Sequence, residues 1–568
     1  MKRFLIFLLF LIFGWHSSAQ NFQLKIIGQS DSESKTIDSL GYNSKHQNTK
    51  ELQEEINKFS IRLIKIGYID NNMLEFSKAK DSSFIAKINI GEKVKSISIY
   101  LGDAKQLNNL ITRSKKNDSI EVPYSEIDLF LEQTLQKLEQ NGFSLAKLKL
   151  VNITRDKSAL SATLQVETDQ KRILNSITIR YAENGRANKF PKGHLTQINK
   201  KYQKIIFNQK VVEQINTDFE KYNFVNQLKY PEILFTKDST KVYVYLEKRN
   251  SNTFDGFLGF ANNDNQKIIL TGYLDINLQN ILGSGEQLSI YWKSDGNDQK
   301  TFKASLELPY LFQTPIGLKA QLQVFRQDTT FQNTKTAIDL SYFINYNSRM
   351  YLGYHTTESS DIQNSNSTSI SDFNNSFLTS SFEYLKSDTN NNLFPIKSKF
   401  QTAVGIGKRK ITNPTEDSKN NQLTLTVQAM HNIYLNKKNS IHLNSQNSYL
   451  NSNRYVVNEL FRFGGFNSIR GFAENSLQAY LTTSLLTEYR YVLAPNLYLN
   501  TILDYGLAKN KSGSGNSDIT ENLIGIGLGM GLQTKNGLLK VALANGKTKK
   551  QQFEIYNSII HISYNVKF

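Results

Sequence analysis

The strongest constraint on the fold is a two-residue alternation that runs from residue 254 to the C-terminus. Runs of about ten residues alternate apolar and polar side chains, and Asn, Asp, Gly and Ser separate the runs. Successive side chains of a strand point to opposite faces, so each run has one apolar and one polar face. Sixteen such segments begin near residues 254, 266, 285, 299, 315, 334, 348, 373, 396, 421, 439, 477, 496, 521, 536 and 555.

Two classes of β structure fit this alternation, a soluble sandwich and a membrane barrel. A sandwich of this length would need two domains. Tyr and Phe recur near the segment ends, as the aromatic girdles of a membrane barrel require. The segment count is even, as in bacterial barrels. We therefore predict that residues 251–568 form a transmembrane barrel of about sixteen antiparallel strands with lipid around its outer face.

The first residues have the composition of a secretory signal peptide. Lys2 and Arg3 precede an apolar run, Phe4–Trp15, and small residues follow it up to Ala19. The alternative is a membrane anchor, but the run is shorter than the ~20 residues of a spanning helix. We predict cleavage after residue 19. Export argues against nucleic acid as the partner. The net charge of +18 suits anionic lipid headgroups, and a solvated basic face would explain it equally well.

Between these regions, one pattern occurs three times, in residues 20–92, 93–169 and 170–250. Each unit opens with an alternating strand, and a helix and two further strands follow. The clearest helix is Ser125–Gln140, with one apolar stripe of Ile127, Phe130, Leu131, Leu135 and Leu138. The order predicts a small α+β domain with at least one open sheet edge. Such an edge can accept a strand from a client protein, although the units could equally be spacers.

The long loop Phe461–Leu477 is too rich in aromatic residues to remain a solvated segment. At its centre is Arg470-Gly471-Phe472. A loop that folds into an enclosed space takes its arginine along, and a buried guanidinium needs an acidic partner. The alternation places Asp504 on the lumen face of the thirteenth segment. A solvated lumen salt bridge is the weaker alternative.

Four glycines in the fourteenth segment lie on the lumen face and would leave room for the loop. They are Gly525, Gly527, Gly529 and Gly531.

The chain resembles the BamA/TamA superfamily of outer-membrane assembly barrels. The N-terminal units resemble POTRA domains, the periplasmic modules of such barrels, in having a helix that ends in Gly-aromatic or Asn-aromatic. The Arg470-Gly471-Phe472 segment matches the motif of the sixth extracellular loop in that superfamily. The resemblance implies that Arg470 meets Asp504 on strand thirteen and Glu488 on strand twelve. Leu485 replaces the usual glycine near Glu488, and the presence of three POTRA-like units points to the TamA branch.

The function that we predict is insertion or translocation of client proteins at the outer membrane. Gly256 and Gly259 weaken the first barrel strand, and the seam between the first and last strands would open sideways to clients. The end of the chain, with Tyr564, Val566 and Phe568, resembles the signal by which such barrels are recognised. Expected partners are outer-membrane lipids, unfolded clients and, as a candidate, a periplasm-spanning TamB-like protein.

Two other functions fit an exported barrel. A two-partner secretion pore of the FhaC type would have two POTRA units and an N-terminal plug helix, and a passive porin would leave the N-terminal units unexplained. No catalytic motif, metal cluster, cofactor site or small-molecule site is evident in the sequence, so we expect no enzymatic activity.

Overall fold

The computed structural model describes residues 22–101, 119–181, 190–262, 268–294, 299–363, 370–388, 391, 393–411, 419–511, 518–535 and 537–567. The predicted signal peptide, residues 1–19, and the terminal Phe568 lie outside the described residues. The chain divides into two units, Met1–Ile173 with Ile205–Lys210 and Leu174–Lys204 with Val211–Phe568. Within the described residues, no helix is long and apolar enough to cross a bilayer.

The first unit begins with a four-stranded sheet and two helices. In chain order its elements are β1 (Phe22–Gly28), α1 (Asp31–Leu40), β2 (Lys45–His46), α2 (Thr49–Lys65), β3 (Asn72–Lys80) and β4 (Ser83–Asn89). The strand order is β2-β1-β4-β3, and β1 pairs with β4 in parallel. The Asn48 side chain caps α2 by accepting from Glu51 N at 2.9 Å. Ile37 of α1 and Phe59 of α2 are fully buried in the same core.

The second sheet of this unit repeats the design. Its elements are β5 (Ser96–Tyr100), β6 (Ser119–Pro123), α3 (Ile127–Gln140), β7 (Lys147–Asp156) and β8 (Ala159–Glu167). The strand order is β6-β5-β8-β7, and β5 pairs with β8 in parallel. The predicted stripe of α3 is wrong at Leu135, which is 39% exposed. Ile127, Phe130 and Leu131 of the stripe pack against the core of the sheet, and the buried residues of the helix are Thr134 and Leu138.

The third sheet belongs to the second unit. Its elements are β9 (Leu174–Tyr181), α4 (Lys192–Tyr202), α5 (Gln209–Glu220), β10 (Val225–Phe235) and β11 (Thr240–Lys248). The strand order is β10-β11-β9, again with the first and last strands parallel.

In each sheet the strand that precedes the last one is an edge, so an open edge exists as expected. All three of these edge strands, β3, β7 and β10, contain register shifts. Bulges of this kind restrict strand addition to short stretches of the edge.

The remainder of the second unit is a barrel of sixteen antiparallel strands. A small hairpin of β23 and β24 forms a separate two-stranded sheet and is not one of the barrel strands. The strands are β12 (Thr253–Asn262), β13 (Ile268–Gln279), β14 (Gln287–Ser294), β15 (Gln299–Leu308), β16 (Ile316–Gln327), β17 (Phe331–Asn345), β18 (Ser348–Asp361), β19 (Phe373–Ser387), β20 (Ile396–Ile411), β21 (Lys419–Tyr434), β22 (Asn439–Asn451), β23 (Phe461–Phe463), β24 (Leu477–Ala479), β25 (Leu481–Ala494), β26 (Leu497–Lys511), β27 (Asp518–Gln533), β28 (Gly537–Lys547) and β29 (Ile559–Lys567).

The predicted fold class, an α+β array followed by an all-β barrel, is confirmed. Apolar side chains such as Leu352, Ile406 and Leu528 point outward with more than half of their surface exposed, as a lipid-facing band requires. Charged side chains such as Arg409 and Asp504 are buried on the lumen side. The twelfth segment starts at residue 481 and not near 477, because residues 477–479 alternate in the same phase but pair with β23 instead.

The third sheet packs on the turns at one end of the barrel. The His194 ring of α4 is 1% exposed and meets the Tyr310 ring edge-on, with centroids 4.6 Å apart. Tyr222 packs on Tyr346 at 4.3 Å. Burial, and secondarily the charge of Arg349, lowers the pKa of His194 to about 3, so that the ring is neutral. The third sheet and this end of the barrel are therefore joined by buried aromatic contacts.

Candidate functional site: the loop inside the barrel

The loop between β22 and β25 turns inward and fills part of the lumen. β23 and β24 pair from Phe461↔Ala479 to Phe463↔Leu477, which makes residues 464–476 the tip. Ile469 and Phe472 of the tip are 1% and 5% exposed. They pack with Leu486, Ala508 and Leu523 of the wall, among other residues, in one apolar cluster. The tip is therefore held by burial as well as by polar contacts.

Arg470 lies against the wall of the barrel with 4% of its surface exposed. Its Nε donates to Asp504 Oδ2 at 2.8 Å, and its Nη2 donates to Asp504 Oδ1 at 2.6 Å. The backbone N of Arg470 also donates to Asp504 Oδ2, at 2.9 Å. Asp504 is completely buried. This is a two-pronged, charge-assisted contact, the strongest form of an Arg–carboxylate pair.

Glu488 on β25 gives Arg470 a second acidic partner. Arg470 Nη1 is paired with Glu488 Oε1, and the other oxygen of Glu488 accepts from Arg490 Nε at 2.6 Å. Replacement of the usual glycine by Leu485 does not disturb this contact, because Leu485 points outward and is 43% exposed. Two carboxylates thus balance two guanidinium groups. Arg490 was not anticipated from the sequence, although its alternation phase is that of Glu488.

Glycines allow the loop backbone to approach the wall directly. Gly471 has a φ of +88°, which favours glycine. A Cβ built at Gly525 would overlap the carbonyl oxygen of Arg470, one at Gly506 would overlap the Ile469 side chain, and one at Gly546 would overlap the carbonyl oxygen of Gly471. Each of three neighbouring strands, β26, β27 and β28, therefore has one glycine where the loop tip lies against the wall. We call these three glycines, Gly506, Gly525 and Gly546, the loop seat. The part played by Gly546 was missed in the sequence.

The expectation that four glycines of β27 make room for the loop differs from the structure. Gly525 is the member of that set that meets the loop. A Cβ at Gly527 would instead meet the neighbouring strand, one at Gly529 would meet the Asn500 side chain, and one at Gly531 would overlap the Tyr498 ring. Of these four glycines the loop contacts Gly525 alone, and the alternation of glycines does not show at which position along β27 the loop lies.

The residues predicted at the seam lie on β12 and β29. Gly256 sits where β12 leaves β29, and a Cβ there would overlap the carbonyl oxygen of Tyr273. Gly259 pairs with Thr271 of β13 in the regular ladder. Tyr564 and Val566 lie on β29, and Val566 pairs with Phe254. Phe568 lies outside the described residues.

Asp255 was not selected from the sequence, yet it bridges the seam. Its Oδ2 accepts from Ser563 Oγ at 2.9 Å, and its Oδ1 accepts from Tyr564 N at 3.1 Å. Tyr273 of β13 donates to the same carboxylate at 2.6 Å.

A model of the Omp85 superfamily domain matches residues 280–563. Among solved structures, the chain is similar to BamA from Haemophilus ducreyi lacking POTRA domains 1–3, with 16% identity over 82% of this chain and 97% of that chain and a TM-score of 0.47. It is also similar to CdiB from Acinetobacter baumannii, with 16% identity, coverage of 84% and 90% and a TM-score of 0.49. For CdiB from Escherichia coli the identity is 11%, the coverage 90% and 98%, and the TM-score 0.49. A search of curated proteins finds no significant match.

Proposed function

The chain belongs to the Omp85 superfamily, and on this premise we propose that it inserts client proteins into the outer membrane through the seam between β12 and β29. The barrel lies in the outer membrane with its N-terminal domains in the periplasm. Insertion of clients into the membrane is a more specific function than transport, and the geometry of the seam supports insertion over export.

The observation that carries the proposal is the shortness of the β12–β29 ladder. Three residues pair there, Thr253↔Lys567, Phe254↔Val566 and Asp255↔Asn565. β12 pairs with β13 along its whole length, from residue 253 to residue 262. Beyond residue 255, β12 has no paired residue on β29 within the described part of the chain. Unpaired peptide groups are worth ~1 kcal/mol each in water and more in lipid, so these edges favour pairing with a client strand.

A cavity of about 760 Å³ adjoins the seam. Asp255 and Lys293 line it from the lumen, and Ile560 and Ile562, which are more than half exposed, line it from the last strand. The cavity is thus bounded both by lumen groups and by side chains of the lipid-facing side. A client strand that leaves the lumen toward the bilayer would pass this place.

The locked loop supports the same function. Arg470, Asp504 and Glu488 tie the tip to β25 and β26, which are four and three strands from β29 in the order of the barrel. We propose that this lock keeps the lumen from collapsing while the seam is open.

Clients would reach the barrel along the edges of the three N-terminal sheets, at the stretches between bulges. A TamB-like partner and membership of the TamA branch remain predictions. The proposal assigns no catalytic residue, cofactor or metal.

The proposal is tested in liposomes that contain the full chain. Folding of an unfolded outer-membrane barrel client is followed by its heat-resistant band on gels, and ion conductance is followed in the same preparation. We expect client folding to be faster than in empty liposomes, with small steady conductance. Large steady conductance with no effect on folding would support the two-partner export pore and reject the insertion proposal.

A further inference from the structure

We propose that Glu459 and Arg409 form a second anchor of the inward loop, which closes the extracellular end of the lumen and releases before the Arg470 lock. Glu459 lies on the part of the loop that leads from β22 to the hairpin of β23 and β24, residues 452–460, which we call the arm. Arg409 lies on the wall, two residues before the end of β20. β20 starts at the end of the barrel next to the third sheet, the periplasmic end, as the antiparallel strands β16 and β18 do. The last residues of β20 therefore lie at the opposite, extracellular end.

The pair is as enclosed as the lock at the tip. The Arg409 side chain is fully buried and that of Glu459 is 4% exposed, and Arg409 Nη1 is paired with Glu459 Oε2. Arg409 Nη2 also donates to the carbonyl oxygen of Arg454 in the same arm, at 2.9 Å. Gln422 of β21 donates to the second oxygen of Glu459 at 2.6 Å. Here the loop supplies the acid and the wall supplies the base, the reverse of the lock at the tip.

Neighbouring residues attach the arm to further strands. Asn458 is 1% exposed, and its side chain donates to Ser359 Oγ of β18 at 2.7 Å. Asn333 of β17 donates to the Asn458 carbonyl oxygen at 2.6 Å. Val456 is fully buried between Phe373 and Ile411. The arm therefore contacts strands β17 to β21. The buried residues of the tip contact β25 to β28, and its less buried residues contact β14, β22 and β29. The arm and the tip thus attach to different arcs of the wall.

The two anchors differ in how completely their polar groups are satisfied. Each side-chain nitrogen of Arg470 has a partner. Among the described residues, Arg409 Nε and Gln422 Oε1 have none. A buried network with unsatisfied members is less stable than a complete one. The arm is therefore the weaker attachment, and its release would open the lumen while the tip remains in place.

The first experiment measures conductance of the full chain in planar lipid bilayers. We expect Glu459→Gln to raise the open fraction about tenfold, the effect of ~1.4 kcal/mol on the attachment. Glu474→Gln is the matched control, because Glu474 is in the same loop but is 35% exposed and 3.6 Å from Lys293. The charge exchange Arg409→Glu with Glu459→Arg should restore low conductance. A folded Glu459→Gln barrel with unchanged conductance, or an equal rise in Glu474→Gln, would overturn the proposal.

The second experiment starts from a protein with the ion pair intact, so its first measurement applies even where Glu459 variants do not fold. The chain has no cysteine, so Val456→Cys gives a single thiol. A membrane-impermeant maleimide added from outside should label it slowly, and faster once Glu459→Gln is added. Rapid labelling in the otherwise unchanged protein would show that the arm does not rest on the wall. Client folding is measured separately in liposomes. If the full chain does not speed client folding although its conductance is normal, the proposed insertion through the seam is contradicted and the proposed second anchor is not.

Discussion

Removal of the Arg470 side chain should destabilise the barrel far more than removal of another arginine of the same loop. In Arg470→Ala the carboxylate of Asp504, which is completely buried, loses both guanidinium hydrogen bonds. Removal of one partner of a buried pair costs roughly 3–5 kcal/mol, because it leaves the other charge stranded. At about 2–4 °C for each kcal/mol, the midpoint of unfolding should fall by roughly 10 °C.

The matched control is Arg462→Ala. Arg462 donates to Gln327 and Gln478 and lies over the Phe325 ring, and none of these partners is charged. Its loss strands no carboxylate and should cost ~1–2 kcal/mol.

The assay is the midpoint of the heat-dependent shift of the folded band on gels, measured on the full chain. The double variant Arg470→Met with Asp504→Asn should recover part of the loss, because the stranded charge is then absent. If Arg470→Ala loses no more than Arg462→Ala, the reasoning about the buried pair is wrong.

Three further predictions concern the loop seat, the seam and the junction with the third sheet. Gly525→Ala should dislodge the tip and lower the unfolding midpoint, whereas Gly529→Ala, whose Cβ would meet a movable Asn side chain at 2.7 Å, should have a smaller effect on the same gel assay. Asp255→Asn should speed amide hydrogen exchange in β29 because it weakens the bonds across the seam, and Asp275→Asn, on the neighbouring strand, should not. The pKa of His194 falls from 6.5 to about 3 on folding, so the junction between the third sheet and the barrel is fully stable above pH 6.5. Below pH 6.5 the junction loses up to ~1.4 kcal/mol of stability for each pH unit. Acid should therefore speed hydrogen exchange at the junction, and this effect should be absent in His194→Phe.

The barrel could be predicted from the sequence because lipid outside and polar groups inside impose a strict two-residue period. The same period placed Asp504 on the lumen side, where the structure has it. It failed at residue 477, because β24 continues the phase of β25 without joining the ring. A periodic pattern shows which face a residue occupies but not which ladder it joins.

The path of the loop could not be predicted, because it depends on contacts between residues far apart in the chain. Glu459 is one acid among polar neighbours, and Arg409 is one of several inward bases, so neither indicates the other. The junction of His194 with Tyr310 likewise joins two domains. The role of Asp255 likewise depends on residues far away in the chain, because its carboxylate accepts from Ser563 and Tyr564 of the last strand.

A reversible lock on the seam tests the proposed mechanism most directly. Phe254 and Val566 are directly paired across β12 and β29, so Phe254→Cys with Val566→Cys should form a disulfide in this cysteine-free chain. A control disulfide between Leu543→Cys and Ile560→Cys joins β28 to β29 inside a regular ladder. We predict that the oxidised seam pair stops client insertion, that reduction restores it, and that the control pair has no effect. Insertion at an unchanged rate with the seam oxidised would contradict the account.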